Sequence, residues 1–349
     1  MAALAEVRSS ALILTAPSFS AGKRLSSSCQ EIVTETIEPR SVHLVVRSCL
    51  ADSDLYPVVL GHTCNNVNLV PSSLYADMAM TAAKYIYTTV HGKKTEPPGL
   101  NVCKMECPKP FIAQIPQKSP GQFIEAELNG MFEGNRLCAV SCAVRSVYPD
   151  GTAIQTHATC MVRYESIDGW KAEWSKYAHF VRTQIRDLHQ RTEMREAHLM
   201  QRGLAYRVFE SFVGYAEKYQ GMKQVVFSGL EGTSAVEYRT EAGDYCIPFH
   251  LDNSCHLSGF LCNAYDLESD SNVYISEGWA AGRFSDLSLL MTPGGKLVNY
   301  VLMQEVQRGV LQGDVYVLQE DDIVAVWEGI KFKRIPRRVI NAVLPSPSK

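Results

Sequence analysis

The apolar positions of this chain follow two periods, and the change from one to the other marks out its elements. From Ser73 to Val90, Leu74, Met78, Ala82 and Tyr85 recur at helical spacing while Ala76, Met80, Ala83 and Ile86 fill other faces. A helix apolar nearly all round is a buried one. Pro71, Ser72 and Ser73 supply its start signals and Gly92 its stop. Beyond it the period drops to two. In QFIEAELNG, Ile124, Ala126 and Leu128 alternate with Glu125, Glu127 and Asn129, and RLCAVSCAVRSV and TAIQTHATCMVRY continue the pattern. Gly134-Asn135 and Asp150-Gly151 read as hairpin turns between these runs. One buried helix followed by an antiparallel meander predicts an α+β layer arrangement.

From residue 165 to about 205 the pattern is diluted by Arg, Gln, Glu and His, and the segment reads as a solvated connector, helical in part. From Tyr206 the cycle resumes. A helical stretch to Tyr219 is expected, then strand-like VVFSGL and AVEY, the segment PFHLDNSCHLSGFLCNAY, and a strand-rich end in DVYVLQ and DIVAVWEGIKFKRI. The order of elements repeats while the sequence does not. These breaks divide the chain into a linker or N-terminal extension at 1–28, an N-terminal unit at 29–170, a connector at 171–205, a C-terminal unit at 206–343 and a tail at 344–349.

Composition narrows the function classes. With 349 residues and 46% hydrophobic positions the chain can bury a sizeable core. Its 34 basic and 37 acidic residues are intermixed, so no single-sign field is available for a phosphate backbone and nucleic acid is not an expected partner. No apolar run reaches the roughly 18 residues of a membrane helix. The eleven cysteines lack paired C-x-x-C clusters, so buried, reduced thiols in a cytoplasmic setting are expected and a metal is not.

Two polar constellations stand out against this background. His62 follows Gly61 just before the apolar helix, in GHTCNNVNLVPSSLYADMA, and a histidine with an ordinary pKa near 6.5 is suited to proton transfer. In HLDNSCHLSGF, Asp252 and His256 are four apart, which on a helix places them on one face. Asp252 taken alone reads equally as a helix N-cap, and His256 as a structural hydrogen-bonding group. Asn65, Asn66 and Asn68 are turn formers that could also line a polar channel. Arg337 and Arg338 read as a solvated edge or as a basic mouth for a phosphate.

The two motifs, with Glu277-Gly278-Trp279, the terminal IKFKRIPRRVI and the opening SSSCQE, resemble the product template domain of fungal non-reducing polyketide synthases. The resemblance runs in order from about Ser27 to Asn341. It implies a double hotdog, two fused units that each wrap a curved antiparallel sheet around a long helix, with a catalytic histidine and aspartate from opposite halves. By motif these are His62 and Asp252, with Asn66, His256 and Ser276 as substrate-binding or supporting residues. The family often carries glutamine where His256 stands and asparagine where Ser276 stands. The implied activity is regioselective aldol cyclisation and aromatisation of a poly-β-ketone; the resemblance as a whole does not fix chain length, register or product, and ring closure between the second and seventh carbons is the expectation only because Pro71-Ser72-Ser73-Leu74-Tyr75 is similar to members handling methylated chains. No cofactor is bound. The chain is delivered on the phosphopantetheine of an acyl carrier protein, other domains of the same synthase are partners, and a homodimer is allowed.

Related double-hotdog dehydratases offer the alternative. They carry glycine four residues and proline nine residues after the histidine, and glutamine or histidine four after the aspartate; Pro71 and His256 match, Asn66 does not. A third reading is a non-catalytic module that shelters the reactive chain.

Overall fold

The computed structural model describes residues 23–344 apart from Pro39, 93–94, Ser119, 211–212 and 265–270. The expected N-terminal linker therefore lies outside the described residues up to residue 22, and the expected tail does so after Leu344.

Among the described residues, thirteen strands form one antiparallel sheet. Its first half runs, in spatial order, Glu31–Glu38, Ser41–Cys49, Phe123–Glu133, Arg136–Val147, Ala153–Glu165 and Gly99–Glu106. The second half continues through Asn272–Phe284, Asp322–Pro336, Val310–Gln319, Lys296–Gln307, Glu231–Glu237, Met222–Ser228 and His198–Gln201. The halves meet where Gly278 faces Glu106 and Trp279 faces Met105. Only glycine fits at that seam: Gly278 has φ of +126°, and a Cβ there would stand 1.9 Å from the Met105 carbonyl oxygen.

Each half wraps helical structure. The Ser72–His91 helix buries Leu74, Met78, Ala82 and Ile86 among others and packs against every strand of the first half. As its composition requires, it is covered on nearly all sides. Its counterpart in the second half is broken into Ile247–Asn253 and His256–Ala264. The break has a tertiary cause. Trp327 Nε1 donates to Ser254 Oγ at 2.9 Å and Asn299 Nδ2 to the Ser254 carbonyl at 3.0 Å, while Ser254 Oγ itself donates to the Leu251 carbonyl at 2.6 Å. Asn299 thus takes the Ser254 carbonyl, and the Ser254 hydroxyl, held by Trp327, takes the Leu251 carbonyl, so two acceptors that would otherwise continue the helix are occupied. The two central helices, Ser72–His91 and Ile247–Asn253, touch. The molecule is a double hotdog of α+β class, as the resemblance implies.

Two segments differ from expectation. The connector is a single 27-residue helix, Ile167–Glu193, capped by Ser166 and carrying a buried stripe of Trp170, Trp174, Ala178, Val181 and Leu188. That stripe packs on the outer face of the second half-sheet against Val226, Tyr300, Leu318, Ile323 and Val326. Each buried indole removes roughly 200 Å² from water, worth about 5 kcal/mol at about 25 cal/mol per Å². The charged residues that dominate its sequence lie on the opposite face. After the connector, the helical stretch expected from Tyr206 to Tyr219 resolves into a helix at Arg202–Phe209, a strand at Val213–Tyr215 and a 3₁₀ turn at Glu217–Tyr219. Among the described residues no helix is long and apolar enough to cross a membrane. All eleven cysteines are free thiols, eight of them buried.

Candidate active site

His62, expected on a loop, opens a short strand, His62–Cys64, in a second small sheet with Val67–Asn68 and Val213–Tyr215. Asn65 and Asn66 form the two-residue turn of this hairpin with φ of 51° and 62°. Positive φ at both central positions is the geometry that suits a hairpin's twist, and asparagine tolerates it. Asn68 Nδ2 donates to the carbonyls of Val59 and Leu60 at 3.0 and 2.9 Å, closing the helix Tyr56–Leu60 that precedes His62. The outgoing strand is held by Phe111 and Ala113 through backbone bonds of 2.9 and 2.8 Å.

On its other side the hairpin pairs with the second half, Tyr215 opposite His62 and Gly214 opposite Thr63. A Cβ at Gly214 would lie 2.5 Å from Thr63 Oγ1, so a larger residue would displace the hydroxyl that donates to the Gly214 carbonyl at 3.3 Å. The Tyr219 phenol adds a second tie between the halves, donating to the Val58 carbonyl at 2.9 Å.

Asp252 lies in the last turn of the Ile247–Asn253 helix and is not an N-cap. Its neighbour Asn253 pins that helix end: Oδ1 accepts from Gly221 N at 2.8 Å and Nδ2 donates to the Lys218 carbonyl at 2.9 Å. Across the Ser254–Cys255 break, His256 begins the next helix, and its Nε2 lies 2.5 Å from Asp252 Oδ2. The side chains are 3% exposed for His256 and 13% for Asp252. The Tyr215 ring joins the two halves of the cluster, its centroid 5.6 Å from that of His62 and 4.3 Å from that of His256. Tyr219 stands 5.8 Å from His62.

The electrostatics divide the labour between these groups. Burial pulls His62 below its ordinary value and the His256 charge adds to this, while the Asp252 charge opposes both. The imidazole is therefore neutral near neutral pH, and its buried Nδ1 has no hydrogen-bond partner among the described residues. Burial pushes Asp252 up, but the charge and hydrogen bond of His256 and the charge of His62 outweigh it, and the carboxyl ends below its usual range. Asp252 is thus an ionised partner. Burial, with Asp252 beside them, pushes the phenols of Tyr206, Tyr215 and Tyr219 and the thiol of Cys255 upward, so all four keep their protons.

The structure brings together His62, Asp252 and His256 from the sequence-derived set. It does not bring in the other two. Asn66 is exposed at the hairpin tip, and Ser276 is exposed on the Asn272–Phe284 strand, its Oγ accepting from Gly278 N at 3.3 Å. Arg337 starts the terminal helix Arg337–Val343, near enough to Cys64 that its charge opposes the burial that pushes that thiol to about 11. Arg338 is exposed. Asn65 Nδ2 ties the hairpin tip to the Leu344 carbonyl at 2.7 Å, so the terminal helix borders the site. An open cleft of about 650 Å³ lined by Pro98, Tyr164, Lys171 and others shares no residue with the cluster. Tyr206, Tyr215 and Tyr219 are site residues that the sequence pattern did not single out; nothing separates them locally from core aromatics.

No protein-family model matches the chain. It is similar to non-reducing polyketide synthase PKS1 of Zymoseptoria tritici, with 48% identity over 94% of this chain and 15% of that protein. It is also similar to non-reducing polyketide synthase Preu8 of Preussia isomera, at 39% identity over 95% and 15%, and to non-reducing polyketide synthase 1 of Elsinoe fawcettii, at 38% over 93% and 15%. The chain thus spans about 15% of the length of these relatives. Among solved structures it is similar in fold to the dehydratase domain from the CurF module of curacin polyketide synthase, with a TM-score of 0.62 and 12% identity over 88% of this chain and 99% of that one. The dehydratase domain of PpsC from Mycobacterium tuberculosis is similar too, with a TM-score of 0.60 and 14% identity over 89% and 98%. Over nearly its whole length the chain is thus similar to one segment of fungal non-reducing polyketide synthases, and in fold to polyketide synthase dehydratase domains.

Proposed function

We propose that this chain catalyses aldol cyclisation and aromatisation of a poly-β-ketone carried on the phosphopantetheine of an acyl carrier protein. The observation that carries the reading is that His62 from one half and the Asp252–His256 pair from the other meet around the Tyr215 ring, where burial keeps the His62 imidazole neutral and His256 keeps Asp252 ionised. A methylene between two carbonyls is acidic enough for a neutral imidazole to deprotonate. His62 takes that proton, the enolate attacks a second carbonyl of the same chain, and loss of water gives the aromatic ring. Asp252 favours the imidazolium that forms, which is the charge change a base must undergo. Selecting the carbonyl requires that the chain be held in one near-attack conformer, which is worth several kcal/mol of barrier. The remaining domains of the synthase, and a second copy of the chain, are the proposed partners in a cytoplasmic setting that suits free thiols.

The alternative is a β-hydroxyacyl dehydratase, favoured by the fold likeness to dehydratase domains. The two readings part on substrate. The chain should be offered a carrier-bound β-hydroxyacyl thioester and, separately, a carrier-bound poly-β-ketone. A cyclase turns over the second and leaves the first largely untouched; rapid enoyl formation from the first would replace this reading by the dehydratase.

A further inference from the structure

The phenol oxygen of Tyr206 has three polar neighbours and one proton to share among them. It lies 3.1 Å from Met222 N, 3.0 Å from the Tyr219 carbonyl and 3.1 Å from His256 Nδ1. The Met222 N–H can only donate, so it occupies one lone pair of the phenol. The Tyr219 carbonyl can only accept, the Tyr206 hydroxyl donates to it, and leaving a buried carbonyl unpaired is costly. The phenol proton therefore goes to Tyr219. What remains facing His256 is a lone pair, and Nδ1 must bring the proton. On the other side of the ring, Nε2 and Asp252 Oδ2 are 2.5 Å apart. Two bare lone pairs repel at that distance, so a proton lies between them.

We propose that Tyr206 is a positioning residue that fixes a proton on Nδ1 of His256, so that the further proton between His256 Nε2 and Asp252 is the transferable acid of the site. Its role in turnover rests on the cyclase reading above; the proton placement does not. In the aldol step the methylene proton passes to His62, the C–H electron pair becomes the new C–C bond, and the attacked carbonyl oxygen takes the proton held by His256 and Asp252. The bare Nε2 lone pair then faces a carboxylate, an unfavourable arrangement that is relieved when Nε2 takes a proton from water. The His62 imidazolium, with the Tyr215 ring standing between the two histidines, gives its proton to water. One proton is taken from water and one returned, so the site regains its starting state with no net reagent. The other titratable groups around His256, namely Tyr215, Tyr219 and Cys255, keep their protons and do not compete for this one.

The test is nitrogen-15 spectroscopy of the substrate-free chain labelled at histidine, with His256 assigned by its loss in His256→Gln. In the wild type at neutral pH, Nδ1 of His256 should resonate in the protonated range. In Tyr206→Phe the Nδ1 proton loses its acceptor, and Nδ1 should move to the unprotonated range with the remaining proton on Nε2. A wild-type Nδ1 in the unprotonated range would overturn the proposal, and this arm needs no variant to fold. So would a folded Tyr206→Phe whose Nδ1 stays protonated. In turnover of a carrier-bound poly-β-ketone, Tyr206→Phe should lower kcat about tenfold and leave KM within about twofold, the signature of lost proton transfer. The expected spectrum in a chain that forms no cyclised product would overturn the cyclase reading and leave the proton placement standing.

Discussion

His250 sits on the helix that ends in Asp252, and its burial makes the fold sensitive to acid. The ring is fully buried, stacks on Tyr238 with centroids 3.7 Å apart and 6° between planes, and holds Thr240 Oγ1 at 2.6 Å from Nε2. Burial pulls the group from 6.5 to about 4. Because the folded value lies below the unfolded one, the unfolded chain takes up the proton first as pH falls. The stability contributed by the neutral ring is present above 6.5 and is lost as pH falls to about 4. That interval corresponds to about 3 kcal/mol at roughly 1.4 kcal/mol per pH unit, and about 2.5 kcal/mol of it is gone by about pH 4.5. Asp77 acts in the opposite direction. Buried and bonded to the Tyr245 phenol at 2.5 Å, its carboxyl is pushed by burial from 3.8 to about 6, so its contribution is present below 3.8 and lost as pH rises through 6. The two partly cancel in the wild type, and a variant is needed to see either. His250→Phe keeps the stack on Tyr238 and removes the titration. Urea unfolding followed by tryptophan fluorescence at about pH 7 and about pH 4.5 should show the wild type losing about 2.5 kcal/mol more than His250→Phe on acidification. Parallel pH dependences for the two proteins would refute the reasoning.

Three further outcomes follow from the geometry. Gly278→Ala forces a Cβ against the Met105 carbonyl at the seam between the half-sheets and should destabilise by about 3 kcal/mol or more; an unchanged melting temperature would contradict the seam. Gly214→Ala pushes a methyl at Thr63 Oγ1 and should break that hydroxyl's bond to the Gly214 carbonyl, loosening the His62 strand and lowering turnover by a larger factor than the melting data account for; unaffected turnover would show this tie to be dispensable. Asp252→Asn removes the charge that raises His62, so turnover should fall about a hundredfold or more and the pH at which the rate rises should move downward. Full activity with an unshifted profile would leave Asp252 a structural residue.

Much of the architecture is legible in local pattern. Leu74, Met78 and Ala82 announce a buried helix because no polar face competes with them, and the alternation through Ile124, Ala126 and Leu128 announces a strand. The connector's stripe was present too, in Trp170, Trp174, Ala178 and Val181, but the surrounding charge obscured it. Other features have no local signal. Val213–Tyr215 is a strand because it meets Thr63 and His62, about 150 residues away in the chain, and the helix break at Ser254 is imposed by Asn299 and Trp327 from distant strands. At the site, His62 and Asp252 were visible through their motifs. The roles of Tyr206 and Tyr215 depend on which groups the fold sets against their rings and hydroxyls, and a tyrosine in sequence does not carry that information. Asn66 was marked by spacing from His62, whereas its backbone is committed to a turn.

The central claim is that His62 is the base of a directed cyclisation. The most direct measurement combines the chain with a carrier-bound poly-β-ketone of defined length and quantifies the ring-closed product from wild type and from His62→Ala, with thermal melting of both. The wild type should release one aromatic product, and a His62→Ala chain that melts with the wild type should form it more slowly by a factor of about 10² to 10⁴. A folded His62→Ala chain that makes the same product at the wild-type rate would contradict the claim.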